Sequence, residues 1–485
     1  MTKAAFAGIC REEAGVPPLY AEIPYVSPEA LYPAFAGSNS FLFESVGGPW
    51  KIARYSFIGF DPSTVFLVKD GICETQSGGE VFLSREKPLK QLAELIAGYQ
   101  QRPAPELPPF QGGVAGLLSY DFVHYLERLP VTTFDDLRLP DAHFLVVDRL
   151  ICFDHREKRA WAVVCPGVRG REGSDPAAWY EEAEYQLAEV RARACAVRRE
   201  APLQAAGRGA LKAGIIPGMS KQDYMQMVRK AKEYIAAGDI FQANLSQRIS
   251  AHIGSLSPWS LYRILRAINP SPFGGFLDFG RYCIASSSPE RLVRVQDHVV
   301  ETRPIAGTRP RGKDLREDEK MRKELLLNEK ERAEHIMLID LERNDLGKVS
   351  EYGSVEVDEL MITEDYSHVI HIVSNIKGVL AADKTCLDAL KAVFPGGTIT
   401  GVPKVRCMEI IDELEPVRRG PYTGSMGYIG FSGSMDMNII IRTFVVKDGY
   451  AYVQAGAGIV ADSDPEREYY ETLKKGEALV KALRS

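Results

Sequence analysis

Four glutamates pose the chemical question in this chain. Glu468 and Glu471 lie three residues apart, with Lys475 one turn further on, in QAGAGIVADSDPEREYYETLKK at 454–475. Glu331 and Glu334 repeat that spacing in NEKERAEHIMLIDLERND. Residues at i and i+3 share one helix face. A single such pair is ordinarily solvated surface, but two pairs on two helices can form an all-oxygen site. Hard oxygen ligands suit Mg²⁺, which keeps several waters and takes one or two carboxylates directly. Just before Glu468, the residues Gln454, Ala455, Gly456, Ala457 and Gly458 read as a small-residue turn. Adjacent N–H groups in such a turn can approach an anion closely. The pattern therefore predicts a carboxylate or phosphate ligand shared with the metal.

Both carboxylate pairs need helices to aim them. Asp462, Ser463 and Asp464 are N-cap candidates and Pro465 suits the first helical position. In the other segment Ala333, Ile336, Met337 and Asp340 bracket an apolar stripe. Further back, FLFES (41–45), RYSFIGF (54–60), STVFLV (63–68) and HFLVVDRLICFD (143–154) are strand-forming runs. The glycines of 112–130 lack the GKS/T ending of a P-loop, so close backbone packing explains them better. Residues 177–199 read as one amphipathic helix within a joint at 166–216. From 217 onward helices and antiparallel strands interleave, with a helix start at Ser220 and a hairpin turn at Lys447-Asp448-Gly449. The class is α+β, with no βαβ repeat.

At 485 residues the chain exceeds one small core. Its net charge of −6 argues against a general nucleic-acid binder. No apolar run is long enough for a membrane span, and the first residues lack the apolar core of a signal peptide. Eight cysteines without a CxxC pair favour a reducing, cytoplasmic setting over zinc or disulfides.

Several stretches in order carry a family resemblance: PIAGTRPRG (304–312), ERAEHIMLIDLERNDLGKV (331–349), YSHVIHIVS (366–374), FPGGTITGVPKVRCMEIIDELEP (394–416), RRGPYTGSMGYIGF (418–431), NIIIRT (438–443) and the 454–475 stretch. They resemble the chorismate-utilising enzymes. The earlier FLFES, RYSFIGFDP and GGVAGLLSYD are similar only to anthranilate synthase and aminodeoxychorismate synthase components I. The resemblance implies a large two-layer antiparallel β-sheet sandwich with helices outside. It implies an N-terminal subdomain at 15–165, a connecting segment at 166–216 and a chorismate-binding catalytic domain at 217–485.

It also implies roles. Glu334 and Glu471 would be the nearest Mg²⁺ carboxylates, with Glu331 and Glu468 flanking. Glu290 would be the general acid, with His371 and Thr398 also catalytic; His368 would be structural. Arg442 would grip the enolpyruvyl carboxylate, since a guanidinium fork matches that group. Tyr422, Ala306, Gly456, Ala457, Gly458 and Lys475 would contact substrate. No GxCxG nucleophile turn appears, so a separate glutamine amidotransferase subunit is the expected ammonia source.

Two products are open. FQANLSQR (241–248), DLERNDLG (340–347), SSSPERL and GPYTGS resemble aminodeoxychorismate synthases, which make 4-amino-4-deoxychorismate towards 4-aminobenzoate and folate. Phe273-Gly274 stands where tryptophan-regulated anthranilate synthases have Tyr-Met, while Glu44 and Ser45 keep an effector-site remnant. Ala306 points the other way: many aminodeoxychorismate synthases have a nucleophilic lysine there, and anthranilate synthases an alanine. The number of matches favours the aminodeoxychorismate assignment, with anthranilate synthase, serving tryptophan biosynthesis, as the alternative.

Overall fold

The computed structural model describes residues 1–11, 15–169, 175–197, 214–366 and 369–485. The strand-forming runs alternate faces with period two, and each buries both faces. Phe41, Phe57, Leu150 and Leu277 point into a core between two sheets, with Leu117, Leu145 and Met426 from the opposite sheet. Their neighbours Leu42, Ile58, Ile151 and Phe276 point outward, where Leu261, Leu265, Leu479 and Leu483 of two helices cover them. This double burial is why the runs read as continuous hydrophobic segments.

Among the described residues each sheet has twelve strands. In both, residues before 165 supply five strands and residues from 216 onward the other seven. The first sheet joins its halves where Ser40–Glu44 pairs antiparallel with Phe273–Asp278, placing Leu42 opposite Phe276. The second joins where Gly113–Leu118 pairs with Ser425–Gly430. Here the glycines pack backbone against backbone. A Cβ on Gly116 would sit 2.0 Å from the His143 carbonyl oxygen, and one on Gly113 2.2 Å from that of Ile429. The run 143–154 is two strands, Ala142–Val147 and Arg149–Asp154, one in each sheet. The fold is the expected α+β sandwich of antiparallel sheets with helices outside.

The joint carries a helix at Pro176–Ala196, capped by Asp175 and burying Tyr180, Ala183, Val190 and Ala194. The helix at Lys221–Ala236 begins with a capping box between Ser220 and Asp223. The histidine at 368 lies outside the described residues. No helix among them is long and apolar enough to cross a membrane.

Candidate active site

The helix Pro465–Arg484 starts as its caps predict. Asp464 Oδ1 accepts the N–H groups of Glu466 and Arg467 at 3.1 and 2.9 Å, and Pro465 takes the first turn. Glu468, Glu471 and Lys475 then face a cleft of about 660 Å³, a volume suited to a small organic ligand. The facing helix, Glu329–Gly347, brings Glu331 and Glu334 to the same cleft. Its inner face differs from the expected stripe. His335, Leu338, Ile339, Asp345 and Leu346 are buried, whereas Ile336 is 48% exposed. The inward face mixes carboxylates with apolar groups, which blurs the hydrophobic period.

The small-residue stretch is not a turn. Residues 454–458 belong to the strand Tyr450–Ile459, paired with Gln242–His252. On its other edge pairing with Thr443–Lys447 ends at Val453. From 454 onward no strand among the described residues pairs with that edge, and its N–H groups alternate along the strand rather than standing adjacent. Small residues are needed there for another reason. A Cβ on Gly456 would lie 2.5 Å from Asn244 Oδ1 and 2.9 Å from the Tyr422 hydroxyl, and one on Gly458 2.3 Å from Gln242 Nε2.

All fourteen residues expected to be catalytic, substrate-binding or metal-holding line this one cleft, Ala306 and Thr398 included. Glu44 and Ser45 line a different cavity of about 560 Å³, with Gly274 in its wall. Glu44 is buried there and accepts from the Tyr262 hydroxyl at 2.5 Å and Arg266 Nε at 2.6 Å.

Glu290 sits in the turn between Cys283–Ser288 and Arg291–Gln296. Burial pushes its pKa up to about 7; the Thr398 hydroxyl, the Ile305 amide and Lys475 oppose that without cancelling it. Its Oε1 is buried without a hydrogen-bond partner. His371 is 8% exposed, and its Nδ1 lies 3.2 Å from the Gly307 carbonyl and 3.0 Å from Thr308 Oγ1. A carbonyl only accepts, so Nδ1 carries the hydrogen and Nε2 keeps its lone pair. Burial lowers the ring's pKa to about 4, so the imidazole is neutral. Arg442 has φ of +54°, uncommon for a side chain of that size. Its guanidinium makes no salt bridge or side-chain hydrogen bond among the described residues, and burial lowers its pKa. Lys475 Nζ donates to the Gly456 carbonyl at 3.2 Å and lies 3.6 Å from Glu471.

Among the described residues no three acidic, histidine or cysteine groups form a ready metal cage. The carboxylates nevertheless fit a hard cation held by one or two protein ligands plus substrate and water. Burial raises the pKa of Glu334, and Asp462, Glu331 and Glu468 raise it further against Lys330. Glu331 Oε2 is buried and unpartnered. Glu331 pairs with Arg309 at 2.7 Å and Glu468 accepts from Ser463 at 2.7 Å, which leaves Glu334 and Glu471 as the freer donors. Gln242 and Asn244 also line the cleft, and each has a buried, unpartnered side-chain oxygen. Their two-residue spacing in FQANLSQR puts them on one face of a strand, a signal the sequence reading did not use.

Residues 38–481 match the family model of the chorismate binding enzymes. The chain belongs to that family. It is 48% identical to anthranilate synthase component 1 of Thermus thermophilus, over 92% of each chain. It is 45% identical to aminodeoxychorismate synthase component 1 of Bacillus subtilis, over 91% of each. The fold matches the crystal structure of anthranilate synthase component I from Streptococcus pneumoniae with a TM-score of 0.76 and 36% identity, covering 88% of this chain and 92% of that one. This is a chorismate-utilising enzyme of the anthranilate synthase and aminodeoxychorismate synthase type.

Proposed function

We propose that this enzyme aminates chorismate at C4 with ammonia, giving 4-amino-4-deoxychorismate and water. The observation that carries this choice is where the distinguishing motifs fall. Gln242 and Asn244 of FQANLSQR, Glu290 of SSSPERL and Tyr422 of GPYTGS line the cleft. Residues from three of the stretches that resemble aminodeoxychorismate synthases are therefore in the site. Glu290, neutral at pH below about 7, gives its proton to the departing C4 hydroxyl, which leaves as water. Ammonia forms the new C–N bond and passes a proton to His371 Nε2. Arg442, with no competing side-chain partner among the described residues, takes one substrate carboxylate as a two-pronged donor, and the strand edge at 454–458 supplies N–H groups to bound anions.

Glu334 and Glu471 would hold Mg²⁺, which would supply positive charge for the ring carboxylate in a cleft otherwise hostile to a dianion. The relatives' name, component 1, supports a separate amidotransferase as ammonia source. Isolated protein is expected to use ammonium and not glutamine.

Ala306 favours a second reading. It lines the cleft and has no nucleophile to block C2, which suits direct ammonia attack there and release of anthranilate. Incubation with chorismate, Mg²⁺ and ammonium, with and without an aminodeoxychorismate lyase, separates the two. Lyase-dependent 4-aminobenzoate is expected. Dominant fluorescent anthranilate without lyase would replace the first reading by the second.

A further inference from the structure

Beside the cleft lies a buried ion pair that the chemistry above leaves unused. Glu415 caps the end of the helix Lys404–Leu414, and Arg419 stands four residues on, in RRGPYTGS, just before Tyr422. The two side chains are 2% and 1% exposed, and neither lines the cleft. Arg419 Nε and Nη2 donate to the two Glu415 carboxylate oxygens at 2.9 and 2.7 Å. Apolar side chains of similar volume often stabilise a core as well as such a pair does, so stability alone does not account for it.

What the pair holds is the wall of the cleft. The three remaining N–H groups of the guanidinium go to three separate segments. Nη2 donates to the Asn244 carbonyl at 2.6 Å, and Nη1 to the Ile399 carbonyl at 3.0 Å and the Thr423 hydroxyl at 3.2 Å. All five donors of the group are thereby used. Glu415 Oε1 in turn accepts from the amide and the hydroxyl of Ser246, both at 2.8 Å. Asn244, Ile399 and Tyr422, one from each of the three segments, line the cleft. So does Gln454, whose Nε2 donates to the same Ser246 hydroxyl at 2.8 Å.

Tyr422 is held most closely. The Arg419 guanidinium lies 5.6 Å from the centre of its ring and 4.9 Å from that of Tyr120. Thr423 has φ of +59°, a strained conformation for a β-branched residue. Its hydroxyl donates to the Tyr422 carbonyl at 2.6 Å while accepting from Arg419. The Tyr422 hydroxyl and Asn244 Oδ1 then converge on one point, since a Cβ on Gly456 would lie 2.9 and 2.5 Å from them. That Oδ1 is buried without a hydrogen-bond partner.

We propose that Arg419, locked by Glu415, is a positioning residue for chorismate binding: it fixes the Tyr422 hydroxyl and the Asn244 side chain over Gly456. The inference rests on the cleft being the chorismate site, and not on whether C2 or C4 is aminated. A lysine at 419 keeps the charge but has three donors and no flat face to lie over Tyr422.

The test uses the full chain. Chorismate consumption is measured for wild type, Arg419→Lys, Tyr422→Phe and the double variant. Arg419→Lys is expected to lower kcat/KM for chorismate by about 10–100-fold, mainly through KM. Tyr422→Phe should cost several-fold in wild type and almost nothing in the Arg419→Lys protein, where the hydroxyl is already out of place. Thr423→Val leaves the ion pair intact and should raise KM in the same direction, while Thr423→Ser keeps the hydroxyl and the wild-type KM. Hydrogen exchange of the ligand-free proteins reads the clasp without turnover: amides of 244–246 and 422–424 should exchange faster in Arg419→Lys, with the rest of the chain unchanged. A lowered urea midpoint with unchanged KM, additive effects of Arg419→Lys and Tyr422→Phe, or faster exchange spread over the whole chain overturns the proposal. If Arg419→Lys does not fold, an unchanged KM in Thr423→Val overturns it. Wild-type protein that consumes no chorismate would count against the reading of the site instead, because hydrogen exchange still reports the clasp.

Discussion

Replacing Glu290 by glutamine keeps the shape of the side chain and deletes its titration. Burial lifts this carboxyl from 4.5 to about 7, and the residue is 6% exposed, so solvent screens little of the effect. The difference of about 2.5 pH units corresponds to about 3 kcal/mol. The folded protein binds the proton more tightly than the unfolded chain. The associated stability is therefore complete below the unfolded pKa near 4.5 and is lost as the pH rises through the folded value near 7. Glu290→Gln escapes that loss. Urea unfolding followed by circular dichroism at about pH 5 and about pH 8 should show the variant gaining about 2–3 kcal/mol on wild type between the two. The same variant should not consume chorismate. A stability difference equal at both pH values would refute the raised pKa, and retained turnover would refute the acid role.

Three further outcomes are expected. Glu334→Ala and Glu471→Ala should each abolish chorismate turnover with the circular dichroism spectrum unchanged, since each removes negative charge from an acidic cleft; near wild-type rates at limiting Mg²⁺ would sink the metal assignment. Gly456→Ala should cost about 1–3 kcal/mol of stability and raise KM for chorismate at least several-fold, because its Cβ would lie 2.9 Å from the Leu245 carbonyl as well as against Asn244; an unchanged KM would show that this strand edge is not the floor of the site. Tryptophan at micromolar concentration should leave the rate unchanged, since Glu44 is already held by Tyr262 and Arg266 and Gly274 offers no side chain; micromolar inhibition contradicts this.

The helix around Glu468 was legible because caps, proline and acidic spacing all act locally. The sandwich strands were legible because burial on both faces leaves continuous apolar runs. The strand at 454–458 was misread as a turn. Glycine and alanine there serve close approach of Gln242, Asn244 and Tyr422 from elsewhere in the chain, and nothing local distinguishes that need from a turn. The inner face of the Glu329 helix was misplaced for a related reason. Its buried positions include His335 and Asp345, whose burial depends on partners such as Ser374, which contacts His335 Nε2 at 2.7 Å.

The shared sheets bear on how the protein is made. The edge of Ser40–Glu44 has no partner until Phe273–Asp278 is synthesised, and that of Gly113–Leu118 waits for Ser425–Gly430. At about 5–20 residues per second, ribosomal synthesis leaves the second edge open for roughly 15–60 s. Long, apolar, unpaired edges are templates for pairing with other chains. The nascent first half is thus a natural client for chaperones, and slowing translation between the two halves should lower soluble yield even though the finished enzyme is unaltered.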